Sequence, residues 1–476
     1  MKEDIIGRME EMRRLLNFYK STKSEFVTIY GRRRVGKTFL ITSFFENKIF
    51  FATSGILEGD KDEQMANFVK SLRKLGYDGE MPSNWFEAFD VLEKLIENQD
   101  SRTKKVLFLD EIPCFDTPRT GFVKALGNFW NSFASMRKDI LMIVCGSATS
   151  WIVSNIIDNH GGLHNRATGE IYLQPFNLDE TEKYLKANHF HWNRRLVAET
   201  YMIFGGVPFY LSLLDNTQTL AANIDRLYFT ENGDLHREYL RIYKSLFKTP
   251  EPYTAIIEAL AKSKYGLTRN DIAHEAKIQA NGKLTQMLEN LQYSGIIRNF
   301  YGKVNGKVKK RDSYYQLIDL FTLFHLTFNS KATNPTFWQD RTNTPQTNTW
   351  NGLAFERVCL WHIPQIRKTL GLNRIAVEYY SWRSKTEGAN AQIDMLIERA
   401  DKLINVCEIK FAAGPYAISK QEDLNMRTRM ETFRQESGTR CGLIPTWITT
   451  YGLKANEYSI EIQYQVVLDD LFEPPN

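Results

Sequence analysis

Short apolar runs recur along the first 176 positions: FVTIY at 26–30, then KIFFAT, KVLFLD, ILMIVCG and EIYLQPF. Stretches with helical periodicity separate them. Continuous apolar runs alternating with helices read as strands buried on both faces, which predicts a parallel α/β sheet. From about residue 246 the pattern changes to three helices, with Leu284, Leu288 and Leu291 on one stripe of the third. Thr268, with Asp271 three residues on, is the N-cap candidate of the second. A hairpin follows, marked by Asn305-Gly306 between alternating residues. Residues 329–350, rich in Asn, Thr and Pro, read as an extended linker. Beyond them come an amphipathic helix and the strand candidates RIAVEYYSW, NAQIDMLIER and DKLINVCEIKF.

The chain has 476 residues; at roughly 150 residues per domain, about three domains are expected. Apolar residues at 43% and charged residues at 25% describe an ordinary globular chain. The net charge of +5 permits nucleic-acid binding without arguing for it. The N-terminal residues lack the apolar core of a signal peptide, and no apolar run reaches the roughly 18 residues of a membrane span. The five cysteines are scattered without a CxxC pair, which predicts reduced thiols in a cytoplasmic protein with no membrane segment. The histidines show no zinc-binding spacing.

The first strand runs into Gly31-Arg32-Arg33-Arg34-Val35-Gly36-Lys37-Thr38 and then a helix, which is GxxxxGK[ST] in its strand–loop–helix context. Glycines let backbone N–H groups wrap phosphates, and the helix N-terminus adds positive potential. Lys37 is expected to reach the β- and γ-phosphates of ATP, and Thr38 to hold Mg²⁺. KVLFLDEIP supplies the partner motif: Asp110 to hold Mg²⁺ through water and Glu111 to polarise the attacking water. Ser147, at the end of a strand, either reads the γ-phosphate or caps the next helix.

These motifs, with DIIGRMEEMRRL ahead of them and GSATSWI, LHNRATGEIYLQPF and FGGVPFYL after them, resemble the archaeal-type ATPases of the AAA+/STAND group over roughly the first half of the chain. The resemblance implies that Ile6, Gly7 and Arg8 lie by the adenine. It implies that Arg166 is a phosphate sensor or finger, and that Gly206 and Pro208 close over the nucleotide.

Three helices and a hairpin make a winged helix-turn-helix. Lys303, Lys307, Lys309, Lys310 and Arg311 load its wing with charge suited to phosphate contact. In the last segment, Asp394 and Glu408 fall on one face if the connection between their strands, Ala400 to Lys402, is odd in length; an even one sets Asp394 opposite Cys407. Carboxylates that hold Mg²⁺ or Mn²⁺, with a lysine nearby, are what phosphodiester hydrolysis needs. Asp394 and Glu408 are the metal candidates, Lys410 the catalytic lysine, and Glu356 approaches from the helix. This order resembles the PD-(D/E)XK, restriction-endonuclease-like nucleases, with Ile393 in place of Pro before the Asp and Gln421 as an auxiliary contact.

The expected fold class is therefore α/β: a P-loop ATPase with a parallel sheet (1–176), a helical lid (177–245), a winged helix (246–328), a linker (329–350) and a nuclease-like domain (351–476). The expected function is ATP binding and hydrolysis coupled to a metal-dependent nuclease acting on DNA. Two alternatives stand beside it: a nucleotide-switched binding or signalling protein, with a protein partner and an inactive nuclease scaffold, and a nucleotide-independent DNA-binding regulator. The sequence leaves the oligomeric state open.

Overall fold

The computed structural model describes residues 5–474 apart from 101, 159–161, 164, 305–306, 329–333, 343 and 385–390, and only the backbone of 301–304 and 307–312. It divides into two compact units. One comprises residues 1–175 with 242–248 and 293–295, the other the remainder.

The first unit holds a parallel sheet of β1 (Glu25–Tyr30), β2 (Ile49–Ser54), β3 (Lys105–Asp110), β4 (Ile140–Gly146) and β5 (Gly169–Tyr172), in the order β2-β3-β4-β1-β5. The two-residue period of a strand divides its apolar runs between two cores. Phe26, Leu107, Leu109, Met142 and Val144 pack on one face, and Val27, Ile29, Val106, Phe108, Leu141 and Ile143 on the other. Every residue of β3 and β4 is buried. This double burial is why the runs read as continuously apolar, and it fixes where their polar ends emerge. Gly31 to Thr38 follow the C-terminal end of β1, and Asp110-Glu111 stand at the C-terminal end of β3, the edge at which parallel sheets bind ligands.

The second unit begins with helices Leu178–Ala187 and Arg194–Phe204, each N-capped by an asparagine side chain. Further on lie helix Glu251–Ala261, β6 (Leu267–Thr268), helix Arg269–Glu275 and helix Gly282–Tyr293. The antiparallel pair β7 (Ile297–Val304) and β8 (Lys307–Leu317) completes a small sheet in the order β6-β8-β7. Thr268 caps its helix in a reciprocal box with Asp271, and Leu284, Leu288 and Leu291 are fully buried, both as the pattern predicts. The Asn305-Gly306 turn and the side chains of Lys303, Lys307, Lys309, Lys310 and Arg311 lie outside the described residues.

The linker reading is corrected by the structure. Helix Pro345–Trp361, capped by Thr344, begins inside that stretch, so a boundary near 350 would cut a helix. Phe337, Trp338 and Trp350 are buried, with Trp338 and Trp350 ring-to-ring against Phe324 and Phe328. Asp225 fastens the segment by accepting from the Trp338 and Gln339 amides. A few aromatics, each burying about 150–250 Å², anchor a stretch whose polar composition suggested none.

The C-terminal sheet contains β9 (Val377–Arg383), β10 (Gln392–Arg399), β11 (Leu403–Lys410), β12 (Gly442–Thr449) and β13 (Tyr464–Val467), in the order β13-β12-β11-β10-β9. The first three are antiparallel and the last three parallel. The β10–β11 connection has the expected odd length, Ala400 to Lys402, with Lys402 left-handed at φ 65°. Met395 pairs with Cys407, so the next position sets Asp394 across from Glu408. On its other side β10 slips register against β9 between Ile393 and Leu396. That slip puts one extra residue into β10 across the interval holding Asp394 and Met395, the kind of irregularity that re-aims a side chain.

Candidate functional site

In the first unit the phosphate-binding loop is shaped by its glycines. Gly31 has φ 141°, and a Cβ there would stand 2.3 Å from the Leu173 carbonyl oxygen. Gly36 has φ 88° as the N-cap of helix Lys37–Phe45. The buried Lys37 ammonium donates to the Gly31 and Arg32 carbonyls at 3.0 Å each, and burial draws its pKa down. The Thr38 hydroxyl donates to Asp110 Oδ2 at 2.7 Å, while Asp110 Oδ1 accepts from the Glu111 amide at 2.9 Å. Glu111 is left-handed at φ 42°, and its Oε2 accepts from both the amide and the hydroxyl of Ser147.

Ser147 therefore does not cap the following helix, whose N-cap is Ala148, without a side-chain bond. Arg8, buried and left-handed, reaches the loop by donating to the Val35 carbonyl at 3.1 Å. Ile6 and Gly7, just ahead of it, are half-buried, as are Arg33 and Arg34, while Arg32 is buried. Arg166 is exposed on the turn ahead of β5. Pro208 belongs to the second unit, where it opens the short helix Pro208–Leu211.

A divalent cation with a nucleotide fits this donor set: a hydroxyl and a carboxylate in contact, beside an ammonium and a turn of backbone amides at a helix start.

The second unit brings Glu356, Asp394, Glu408 and Lys410 to one cleft of about 370 Å³. Lys264, Arg383 and Arg429 line it too, and nothing in the sequence pattern marked them. Lys264 lies in the turn between helix Glu251–Ala261 and β6, far from the motif in sequence. Glu356 is buried, and its Oε1 pairs with Lys264 Nζ at 2.8 Å. Burial, then the Asp394 charge, pushes Glu356 up to about 7. Burial opposes the Lys264 charge, but Glu356 and Asp394 outweigh it and hold that ammonium above its ordinary range. Glu408 uses both oxygens: Oε1 accepts from Lys410 at 2.9 Å and Oε2 pairs with Arg429. Gln421 is exposed and bonds Asn425 at the start of helix Lys420–Ser437; it does not line the cleft.

The cleft is braced from beneath. Arg357, fully buried, donates to the Leu317 and Lys264 carbonyls at 3.1 and 2.7 Å. Arg298 on β7 donates to Ser381 Oγ, which donates to the Asp394 carbonyl. Among the described residues, no three acidic, histidine or cysteine side chains stand as a ready metal cage. Glu356 and Glu408 are held by cations instead, and Asp394 Oδ1 accepts from the Gln392 side-chain amide at 2.9 Å, so a metal ion fits here only when those contacts open.

Residues 5–214 match the family model of an ATPase domain found predominantly in Archaea. This stretch is an archaeal-type ATPase domain. The ATPase domain carries the P-loop and the Asp110-Glu111 pair described above, and the family makes the chain an ATP-binding protein. Over 418 residues the chain is 23% identical to an uncharacterized protein of Methanocaldococcus jannaschii, covering 85% of this chain and 87% of the relative. A stretch of 43 residues, 9% of this chain, is 46% identical to 73% of an uncharacterized ATP-binding protein of the same organism. A Walker-type ATPase structure from Pyrococcus abyssi aligns over 68% of this chain and 97% of its own, at 18% identity and a TM-score of 0.47. Among the described residues no helix is long and apolar enough to cross a membrane.

Proposed function

We propose that the ATPase domain, of the AAA+/STAND type, hydrolyses ATP with Mg²⁺ and that its nucleotide state controls a metal-dependent nuclease acting on DNA. The observation that supports the second half is the convergence of Glu356, Asp394, Glu408 and Lys410, from one helix and two strands, on a single cleft. In this reading Asp394 and Glu408 would hold Mg²⁺ or Mn²⁺, which would supply a water of lowered pKa. Lys410 Nζ would offset charge on the scissile phosphate and orient the attacking water. Arg383 and Arg429 add cations along the path of a phosphate backbone. Residues 246–328, with their helices and hairpin, are proposed to be a winged helix whose basic wing touches nucleic acid.

In the ATPase domain, Lys37 binds the β- and γ-phosphates, Thr38 and Asp110 hold Mg²⁺, and Glu111 polarises water. Ser147 fixes Glu111 and reads the γ-phosphate, Arg166 senses phosphate, and Ile6, Gly7 and Arg8 frame the nucleotide.

One observation favours a second reading, a nucleotide-switched binding or signalling protein with a protein partner. Glu356 and Glu408 are already satisfied by lysine and arginine, as in a structural ion-pair network. Cleavage of plasmid and single-stranded DNA with Mg²⁺ or Mn²⁺, with and without ATP, separates the two. Loss of cleavage in Lys410→Ala, with a change in Lys37→Ala, supports the nuclease. ATP turnover with no cleavage under any condition supports the switch.

A further inference from the structure

The phosphate loop carries three arginines in a row, and the structure uses them differently. Arg32 is buried, and its carbonyl accepts from the Lys37 ammonium at 3.0 Å. Arg34 is left-handed at φ 71°, and the next residue, Val35, enters the core. Arg33 stands between them, half-buried. Among the described residues its guanidinium makes no hydrogen bond and no ion pair. A half-buried fork of N–H donors with no acceptor of its own is suited to an anion from outside.

Its surroundings say which anion. Burial draws the Lys37 pKa down, and the charges of Cys145, Glu111, Asp110 and Arg33 act on it. The Cys114 thiol, shortly past Glu111, is pushed up by burial and feels Glu111, Arg33 and Asp110. The Arg33 charge therefore lies on the side of the loop that faces the end of β3, where Thr38 and Asp110 touch at 2.7 Å. The two acids there repel a terminal phosphate. Lys37 and Arg33 are the cations that oppose them.

Arg166 cannot take this place within one chain. Thr168 donates its amide to the Phe26 carbonyl, so the turn bearing Arg166 lies beside the start of β1. The phosphate loop begins after Tyr30, at the other end of that strand. About 13 Å of strand separates Phe26 from Tyr30, further than an arginine side chain reaches.

We propose that the Arg33 side chain contacts the γ-phosphate of ATP and offsets the charge of phosphoryl transfer within its own chain. The inference rests on the ATP-hydrolysing reading above and adds a catalytic residue to it. Hydrolysis forms a bond from the water oxygen to the γ-phosphorus and breaks the bond to the β,γ-bridging oxygen, which leaves on ADP. The water proton passes by way of the Glu111 carboxylate to solvent. Arg33 donates to the γ-phosphate while negative charge gathers on the leaving oxygen. Its planar fork suits that task where Lys37 supplies a single point of charge.

The test uses the full chain with Arg33→Met, Arg33→Lys and Glu111→Gln. ADP affinity, by fluorescent-nucleotide titration, is expected to stay near the parent's in all three. ATP turnover with Mg²⁺ is expected to fall about thirtyfold or more in Arg33→Met, and less far in Arg33→Lys. Aluminium fluoride with ADP mimics the phosphoryl group in transfer. It is expected to tighten ADP binding about tenfold or more in the parent and to have little effect in Arg33→Met. Mixing Arg33→Met with Lys37→Ala is expected to restore no turnover, because the guanidinium serves its own chain. Parent-level turnover and fluoride-dependent tightening in Arg33→Met, with turnover lost in Glu111→Gln, overturn the assignment while the ATPase reading survives. Loss of ADP binding in Arg33→Met, with parent-level turnover in Arg33→Lys, reduces the side chain to a fold contact and also overturns it. Restored turnover in the mixture overturns the action within one chain. A parent that binds ATP without turning it over overturns both readings.

Discussion

The carboxylate of Glu111 accepts from the amide and the hydroxyl of Ser147 at 3.1 and 3.0 Å, tying the end of β3 to the end of β4. Glu111 sits in a left-handed conformation, which costs a non-glycine residue about 1–2 kcal/mol, so the Ser147 bonds hold a side chain its own backbone does not favour. Ser147→Ala is expected to lower ATP turnover about three- to tenfold, the worth of one hydrogen bond near 1 kcal/mol, with nucleotide affinity within twofold. Glu111→Gln is expected to lower it by about a hundredfold or more, the scale of a lost general base. Phosphate release and fluorescent-nucleotide titration measure both; unchanged turnover in Ser147→Ala would show the contact to be idle.

Thr38 and Asp110 already touch, so each loses its partner when the other is replaced. Thr38→Ala and Asp110→Asn are each expected to erase the Mg²⁺ dependence of ATP binding, leaving affinity at its level in excess chelator. Titration with and without Mg²⁺ checks this, and a preserved Mg²⁺ effect in either variant would assign the ion to other groups.

His362 predicts a pH dependence of stability in the second unit. Its ring is buried, with Nε2 accepting from the Leu178 amide at 2.9 Å and Nδ1 set 2.7 Å from the Val358 carbonyl, so the fold needs the neutral imidazole. Burial pulls its pKa down to about 4 from the ordinary 6.5. The unfolded chain therefore takes up a proton between pH 6.5 and 4 that the folded chain refuses. This contribution is intact above pH 6.5, is lost as the pH falls, and levels off below about 4. The whole loss is about 3 kcal/mol, and about 2 of it is gone by pH 5. Urea unfolding at pH 7.5 and 5.0 should show a smaller pH difference in His362→Gln than in the parent; an equal difference would exclude this histidine.

Lys402 closes the β10–β11 connection in a left-handed conformation, where glycine has no steric cost. Lys402→Gly is expected to raise stability by about 0.5–1 kcal/mol after the greater freedom of glycine in the unfolded chain, and Lys402→Val to lower it. Thermal midpoints decide; destabilisation by glycine would mean that the lysine side chain contributes more than the turn strain costs.

The phosphate loop was legible in the sequence because its chemistry is local. Gly31 to Thr38 act through their own backbone and through a helix that starts at Lys37, within the motif itself. The five strands were legible because burial on both faces forces continuous apolar runs. The β10–β11 register could be argued from a single count, since one residue more or less turns a whole strand over. Residues 329–350 misled because helix Pro345–Trp361 is polar along most of its first turns and is held by tertiary aromatic contacts. Ser147 stayed ambiguous because two uses of a serine at a strand end leave the same local pattern.

By itself, then, the sequence determined what short-range physics controls: the strand runs, the glycine-bearing loop, the caps and the spacing that aligns Asp394 with Glu408. Only the tertiary structure decided which cations meet those acids. Lys264 and Glu356 are far apart along the chain, as are Glu408 and Arg429 by a smaller interval, and no periodicity links them. Charges pair by distance in space, and that distance exists only once helix, turn and sheet have packed together.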